Sequence, residues 1–240
     1  MIKVSVFTYV YVTRSNGRLK LLRECIQSVA DQQFPSYEHV IVDDGSEVDL
    51  EHYIKRWKCK NVRVIKNKHT GIRFSAEPLR TCLRNLKGKY AILLSSDDKQ
   101  NTGCLRALSR YLDKHPKVIA VEGGHVKTYN GKRRKKLVRR NGNANRELIT
   151  RNTVNACACM FRTSVLKKIK LPEDEGGFAA DYDLWLKISE HGLIHRIPNM
   201  VLIYRCHKDA TRKITGPDKK YRAKCLNFVL GNAKKRRGLI

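Results

Sequence analysis

The chain has 240 residues, in which 50 Lys and Arg outnumber 22 Asp and Glu to give a formal net charge of +28. Hydrophobic residues make up 41% of it, enough to build one compact core, which excludes wholesale disorder. No apolar run approaches the roughly 20 residues that cross a bilayer, and Met1-Ile2-Lys3 leads straight into Val4-Ser5-Val6-Phe7 without an apolar leader, so a cytoplasmic chain is expected.

In chain order, short β-branched runs alternate with amphipathic helical stretches. Lys3 to Tyr9, Glu38 to Asp43, Val62 to Lys66, Lys89 to Ser95 and Val118 to Glu122 read as strands. Leu21, Leu22, Cys25, Ile26 and Val29 recur at helical spacing, as do Leu79, Leu83 and Leu86, and Leu105, Leu108, Tyr111 and Leu112. This alternation predicts a mostly parallel sheet covered by helices on both faces. Beyond residue 125, Val126 to Tyr129, Asn130-Gly131 and Leu137-Val138 suggest a hairpin interrupted by a basic run, and Asn141 to Arg151 a polar loop. Cys157 to Phe161 reads as a strand, Thr163 to Lys168 as a short helix and Asp181 to Glu190 as a stronger one. Ile194 to Ile197 and Val201 to Arg205 read as two late strands, and Lys219 to Leu230 as a final helix.

The eight cysteines, at 25, 59, 82, 104, 157, 159, 206 and 225, have neither zinc-site nor disulfide-framework spacing and read as reduced thiols. Cys157 and Cys159, two apart in an apolar strand, are expected to pack on one face of the sheet. Basic runs at Lys132 to Lys136, Arg139-Arg140 and Lys234 to Arg237 make a surface that attracts polyanions. Nucleic acid, an anionic membrane face and a phosphate-bearing substrate all satisfy such a charge.

In a parallel sheet, ligands bind beyond the carboxyl ends of the strands. Two such ends are acidic: Val42-Asp43-Asp44-Gly45-Ser46 and Leu94-Ser95-Ser96-Asp97-Asp98. Asp-Gly-Ser is also a good turn, so the first motif divides evenly between turn and ligand site. Asp97-Asp98 places two repelling anions together, which suits a divalent cation and its preference for oxygen. Neither G-x-x-x-x-G-K-[ST] nor G-x-G-x-x-G occurs, so a nucleotide would have to be held by carboxylates and metal. Asp181 and Asp183 open a helix, where acids also complement the helix dipole, and His207 follows a strand ending Tyr204-Arg205-Cys206.

The order of these pieces resembles the family-2 glycosyltransferases of the GT-A fold, which are inverting and use nucleotide-sugars. The resemblance runs through Val4-Ser5-Val6, Leu22 to Val29 with Gln32, Val42 to Ser46, and Gly88-Lys89-Tyr90 leading to Ser95-Ser96-Asp97-Asp98. It continues through Met160 to Leu166 and Asp181 to Leu186 and closes at Tyr204-Arg205-Cys206-His207, covering residues 3 to about 212. It implies that Thr8, Tyr9 and Tyr11 lie along a pyrimidine base whose hydrogen bond Asp44 accepts. Asp97, with Ser96 before it, would lie near the ribose; Asp98 and His207 would hold Mn2+ or Mg2+ against the diphosphate; Asp181 would be the general base. Arg73 and Arg80 are further candidate diphosphate contacts, and Glu173, Asp174, Glu175 and Asp183 are rival acids for the role of base. The chain departs from the family pattern at Ser95 and Ala180, where acids are usual, at Pro78-Leu79-Arg80 and at Tyr9-Val10-Tyr11-Val12.

The expected architecture is α/β, a Rossmann-like GT-A domain over 1–240 with a smaller acceptor-side sheet. Residues 1–100 would form the nucleotide-sugar-binding half, 101–215 the acceptor-binding half, and 216–240 a basic C-terminal helix. The expected activity is that of a hexosyltransferase in glycan biosynthesis, moving a sugar from a UDP- or related nucleotide-sugar to a hydroxyl of a glycan or glycoconjugate. The acceptor would sit between Asn152 to Met160 and Gly176 to Trp185, with Phe178 or Tyr182 as the sugar-stacking aromatic and Trp185 in the core. The final helix packs on the domain or, as the second option, contacts an anionic membrane. The competing reading is a non-catalytic, basic nucleic-acid-binding protein on a related fold. Such a protein has no use for Asp97, Asp98, Asp181 and His207, so no specific nucleic acid is expected as a partner. A nucleotidyl transferase would need a Gly-rich N-terminal loop, which is not seen.

Overall fold

The computed structural model describes residues 1–15, 17–69, 75–129, 132–138, 141–207 and 219–240, with backbone alone at 133 and 134. β1 (Val4–Val10) leads through α1 (Arg18–Ala30) to β2 (Tyr37–Asp43), through α2 (Leu50–Arg56) to β3 (Val62–Lys66), and through α3 (Glu77–Arg84) to β4 (Tyr90–Leu93). The short β5 (Lys99–Gln100) and α4 (Cys104–Lys114) precede a long β6 (Val118–Tyr129). Then follow β7 (Lys132–Leu137), β8 (Gly142–Asn143), α5 (Asn145–Leu148), β9 (Cys159–Arg162), α6 (Ala180–Ser189), β10 (Leu193–Cys206) and α7 (Lys219–Arg236).

One sheet carries the order β3-β2-β1-β4-β9-β6-β10-β5, with β7 paired to β6 and β8 to β10. β1 to β4 run parallel, and β9 is antiparallel to both β4 and β6, which returns β6 and its parallel neighbour β10 to the direction of β1. The carboxyl ends of all six strands therefore point to one edge. The later strands are continuous with the central sheet, because β6 is long enough to pair with β9 near its start and with β7 near its end.

Burial explains the placement of the helices. β2 is buried at all seven positions, as a strand covered on both faces must be. Its Ile41 joins Leu22 and Ile26 of α1 and Leu50 and Ile54 of α2, whereas Val40 and Val42 point the other way into the large cluster that holds Leu79 and Cys82 of α3. Trp185 is in that core, as expected, packed edge-on against Phe161. Along α7, Cys225, Val229 and Ala233 recur every four residues and are buried, so the helix turns its apolar stripe to the domain. Among the described residues, no helix is long and apolar enough to cross a membrane.

Four local expectations are corrected. Ala156–Ala158 is a 3-10 turn, capped by the Asn155 side chain accepting from the Cys157 amide, so Cys157 lies outside the strand that Cys159 begins. The two late strands are one, β10, because β6 offers a continuous partner and a register shift between Arg196 and Met200 absorbs Pro198, which has no amide proton to give. The basic run does not interrupt the hairpin but forms its second strand, β7; the expected turn at Asn130-Gly131 lies outside the described residues. Within the expected polar loop Asn141 to Arg151, β8 and α5 form.

A buried polar network sets the register of the first three strands. The Ser5 hydroxyl donates to Glu38 Oε1 at 2.6 Å and accepts from the Gly88 amide at 2.8 Å; the Lys87 amide donates to the same Glu38 oxygen at 2.8 Å, and Arg63 pairs with the other at 3.1 Å. A Cβ on Gly88 would lie 2.5 Å from the Ser5 amide nitrogen and 2.8 Å from its hydroxyl. Gly88→Ala is therefore expected to destabilise the protein by about 2–3 kcal/mol in urea unfolding; a loss within about 0.5 kcal/mol would show that the turn yields without disturbing Ser5.

Candidate active site

The first acidic motif divides its labour. Asp43 Oδ1 accepts from the Ser46 amide at 2.8 Å, and Ser46 in turn accepts from the Val12 amide at 2.9 Å, so Asp43 builds the turn. Gly45 takes a φ of +75°, open to glycine at no steric cost, and this leaves Asp44 facing outward. Asp44 Oδ2 lies 3.1 Å from Nδ1 of His69, and the His69 ring stacks on Tyr11 with centroids 4.6 Å apart and planes 10° from parallel. A Cβ at Gly45 would come within 2.7 Å of the His69 Cβ, so glycine is needed there for this approach as well. Burial raises the Asp44 carboxyl above its ordinary value, against the lowering effect of His69. Sequence reasoning missed His69; its signal was a position just past β3, at the same edge as Asp44.

Thr8 does not reach a ligand position. Its side chain is fully buried; the hydroxyl donates to the Leu94 carbonyl at 2.6 Å and lies 3.0 Å from His39 Nε2. Because the hydroxyl proton goes to Leu94, the imidazole must supply the proton of the second bond, and burial pushes His39 down to about 3, so it is neutral. Thr8 is thus a strut between β1, β2 and the turn after β4. Tyr9, next along the strand, points the other way and is 39% exposed. Its phenol is raised by the enclosing protein and by Asp181, Cys157, Cys82 and Asp97 around it.

The second motif forms a tight turn in which the Asp98 amide bonds the Ser95 carbonyl at 3.0 Å. Ser96 is buried within it, and the Ser95 hydroxyl lies 3.3 Å from Cys157 Sγ. The two aspartates part ways here. Asp97 Oδ2 lies 3.2 Å from His207 Nε2, each side chain about one-fifth exposed at 20% and 19%. Asp98 is 2% exposed and accepts from the Arg205 amide at 2.9 Å; burial, and then Asp97, push its carboxyl well above the aspartate range. Asp98 and His207 are expected to share a metal; in the structure His207 stands beside Asp97, since alternate orientation around the turn sends the second acid inward.

Arg205 holds this arrangement. Its guanidinium bonds the Asp97 carbonyl, Glu24 Oε2 at 2.6 Å and the Leu21 carbonyl at 3.1 Å. The end of β10 is thereby fastened both to the turn after β4 and to α1.

Asp181 stands in the first turn of α6, where its Oδ1 accepts from the Tyr182 amide at 2.8 Å. It is partly exposed yet enclosed by protein, as a residue on a cleft floor would be, and the enclosure raises its carboxyl against the pull of the amides. Three of the four rival acids are committed elsewhere, and the fourth, Glu175, is exposed. Asp183 is buried against Lys187 at 2.5 Å, Glu173 pairs with Lys170, and Asp174 accepts from Ser75, the Ala76 amide and Arg80. Arg80 is likewise occupied by Asp174 at 2.9 Å, Glu77 at 2.7 Å and the Pro172 carbonyl at 3.0 Å, and so braces a loop instead of facing the site. Arg73 lies outside the described residues. Tyr182 is buried with its hydroxyl on the Leu148 carbonyl at 2.5 Å, which removes it as a sugar-stacking aromatic. Phe178 is half-buried beneath the Arg222 guanidinium.

Among the described residues, no three His, Cys, Asp or Glu side chains converge on one metal position. Asp97 and His207 do suit a cation that keeps water and takes phosphate oxygens for its remaining ligands. Together, the edge presents a flat aromatic-acid wall at Asp44, His69 and Tyr11, a carboxylate-imidazole pair at Asp97 and His207, and a raised carboxyl at Asp181.

The sequence model described as glycosyl transferase family 2 matches residues 9–170. The chain is 23% identical over 218 residues to an uncharacterized glycosyltransferase of Haemophilus influenzae, across 84% of this chain and 66% of that protein. It is 26% identical over 117 residues to the poly(ribitol-phosphate) β-N-acetylglucosaminyltransferase TarS of Staphylococcus aureus, across 48% of this chain and 20% of TarS. The chain thus spans less than two thirds of the length of either relative. Among solved structures it superposes on S. aureus TarS 1–349 in complex with UDP-GlcNAc with a TM-score of 0.75 at 19% identity, covering 95% of this chain and 65% of that one. It also superposes on the mannosyltransferase PcManGT of Pyrobaculum calidifontis in complex with GDP-Man and Mn2+ with a TM-score of 0.64 at 16% identity, covering 99% and 74%. The fold is that of the GT-A glycosyltransferases.

The Arg205 clasp makes a graded prediction. Arg205→Ala is expected to cost about 2 kcal/mol in urea unfolding, and Glu24→Gln less than half of that, since two backbone carbonyls still hold the guanidinium. Equal losses would place all of the stabilisation in the ion pair.

Proposed function

Because the chain belongs to glycosyl transferase family 2, we propose that it is an inverting enzyme that moves a sugar from a nucleotide-sugar, a UDP-sugar foremost, to a hydroxyl of a glycan or glycoconjugate. The observation that carries this reading is the Asp97–His207 pair, 3.2 Å apart, gathered with Asp181 at the edge where the parallel strands end. Complexes of similarly folded proteins with UDP-GlcNAc and with GDP-Man and Mn2+ support a nucleotide-sugar donor.

In this reading the pyrimidine lies against Tyr11 and His69, and Asp44 accepts a hydrogen bond from the base. Mn2+ or Mg2+ would be held by Asp97 and His207, and when bound it offsets the negative charge that develops on the departing diphosphate. Asp98 and Arg205 keep the turn in place so that Asp97 and His207 stay together. Asp181 accepts the proton of the acceptor hydroxyl as that oxygen attacks the sugar C1 from the face opposite the diphosphate, and a single displacement of this kind inverts C1. Enclosure makes Asp181 a better base than a solvated aspartate, because the proton it takes relieves a poorly hydrated charge. Tyr9 remains a neutral phenol and can donate a hydrogen bond between Asp97 and Asp181. Contact with an anionic membrane stands second to this, since the apolar stripe of α7 is spent on the domain.

Two measurements test the assignment. By calorimetry, UDP is expected to bind more tightly with Mn2+ than with EDTA, and Asp97→Asn to weaken the metal-dependent binding by about tenfold or more; no UDP binding in either condition would remove the nucleotide reading. Asp181→Asn is expected to slow transfer by about 10²–10⁴ while UDP still binds.

The pH profile carries a sign. Asp181 works as the anion, and its carboxyl is raised above the ordinary 3.8, so the acid-side fall of kcat/KM should begin at a higher pH than for a solvated aspartate. A profile flat down to about pH 4 would assign the proton to another group.

A further inference from the structure

Beyond the donor site, the strongest unassigned feature is the ribbon formed by β6 and β7. Val121 of β6 is level with Ile92 of β4 through their shared partner Met160 in β9. From there β6 continues to Tyr129, roughly 26 Å at about 3.3 Å per residue, past the edge where the donor half ends. β10 pairs with one side of this extension and β7 with the other, where β9 has left it; among the described residues the outer edge of β7 has no strand partner.

The ribbon is strongly cationic. From Lys127 to Lys136 the sequence has six Lys and Arg and no acid. Lys132, Lys135 and Lys136 are exposed, Lys127 sits opposite Lys135 in register, and among the described residues none of the four lies within ion-pair distance of an acid. Like charges side by side repel, so an arrangement left unneutralised within the chain is expected to find its counter-charge elsewhere. At the end of β6, Tyr129 is 44% exposed, is paired with Lys132 on one side and stands across from Cys206, one residue before His207, on the other. An exposed aromatic thus borders both the cations and the reactive edge, where a ring face can carry a sugar or polyol segment.

We propose that the β6–β7 ribbon seats a polyanionic acceptor, a glycan or polyol chain bearing phosphodiester or carboxylate groups at intervals. That this anion is an acceptor rests on the transferase reading above; that it binds here rests on the ribbon alone. The anionic groups lie along Lys132, Lys135 and Lys136, and Tyr129 turns the chain toward His207 and Asp181. Edge lysines also discourage strand addition. That role requires neither proximity to the catalytic edge nor an exposed aromatic, and it yields no affinity for a polymer.

The test compares the parent, a ribbon variant (Lys132→Gln, Lys135→Gln, Lys136→Gln) and a charge-matched variant at the far end of the sheet (Lys55→Gln, Arg56→Gln, Lys60→Gln). Binding to inorganic polyphosphate, polygalacturonate and neutral dextran is titrated at several salt concentrations. The ribbon variant is expected to lose about tenfold in affinity for the polyanion that the parent prefers, with a shallower salt dependence, the far variant less than about twofold, and dextran should not bind. Preference for polyphosphate or for polygalacturonate identifies the anionic group. Equal losses in the two variants would overturn the proposal in favour of bulk charge. Tighter ribbon-dependent binding to single-stranded RNA or to phosphatidylglycerol vesicles would overturn it in favour of those partners. Calorimetry with UDP on the same proteins separates the two readings: ribbon-dependent binding without UDP binding would sink the transferase reading and the acceptor role, whereas UDP binding with an inert ribbon would sink this proposal alone.

Discussion

The arrangement of the site depends on one clasp. Asp98, buried and short of solvent, takes the Arg205 amide, while the Arg205 side chain reaches the Asp97 carbonyl, Glu24 and Leu21. The ladder between β10 and β5 sets Ile203 level with Lys99, just past the turn after β4, and the clasp continues that contact to the end of the strand. With it, His207 is delivered to Asp97 from a segment more than a hundred positions away in sequence. Leaving a buried carboxyl without a hydrogen bond is costly, so the second aspartate of the motif helps fix the turn on which the first one stands.

A second constraint is directional. Antiparallel β9, inserted between β4 and β6, restores the direction of β1 to the later strands, so six strands end at one edge and every acid of interest is gathered there. In a chain of net charge +28 cations outnumber acids by 50 to 22, yet Asp44, Asp98 and Asp181 are all raised above the ordinary aspartate value. Enclosure outweighs the long-range positive field because desolvation acts at contact, whereas surface charges are screened within about 10 Å. The cations instead show themselves on the surface, among them the exposed Lys132, Lys135 and Lys136 of β7.

The alternating apolar runs made the strands and the helices α1, α3, α4 and α6 readable, because burial on both faces of a parallel sheet leaves a periodic trace. The acidic strand ends were readable as ligand positions, since topology places them at the open edge. Hydrogen-bond partners were not readable. Thr8, Arg80 and Tyr182 have residue types that suit a binding site, but each is consumed by a nearby carbonyl or carboxylate. His69 was invisible for the opposite reason, a lone histidine past a half-exposed strand that acquires meaning only when Tyr11 and Asp44 close around it.

The sequence by itself thus determined the layer architecture, the family pattern and the set of acids from which a site could be built, because periodicity and turn chemistry are local properties of the chain. The tertiary structure alone decided which acid of each pair faces outward, which candidate acids are held in ion pairs, and that one long ribbon carries the basic run beside the edge where the parallel strands end. Those choices follow from one-residue differences in register and turn geometry, which reverse a side chain's direction without altering composition or hydrophobic pattern.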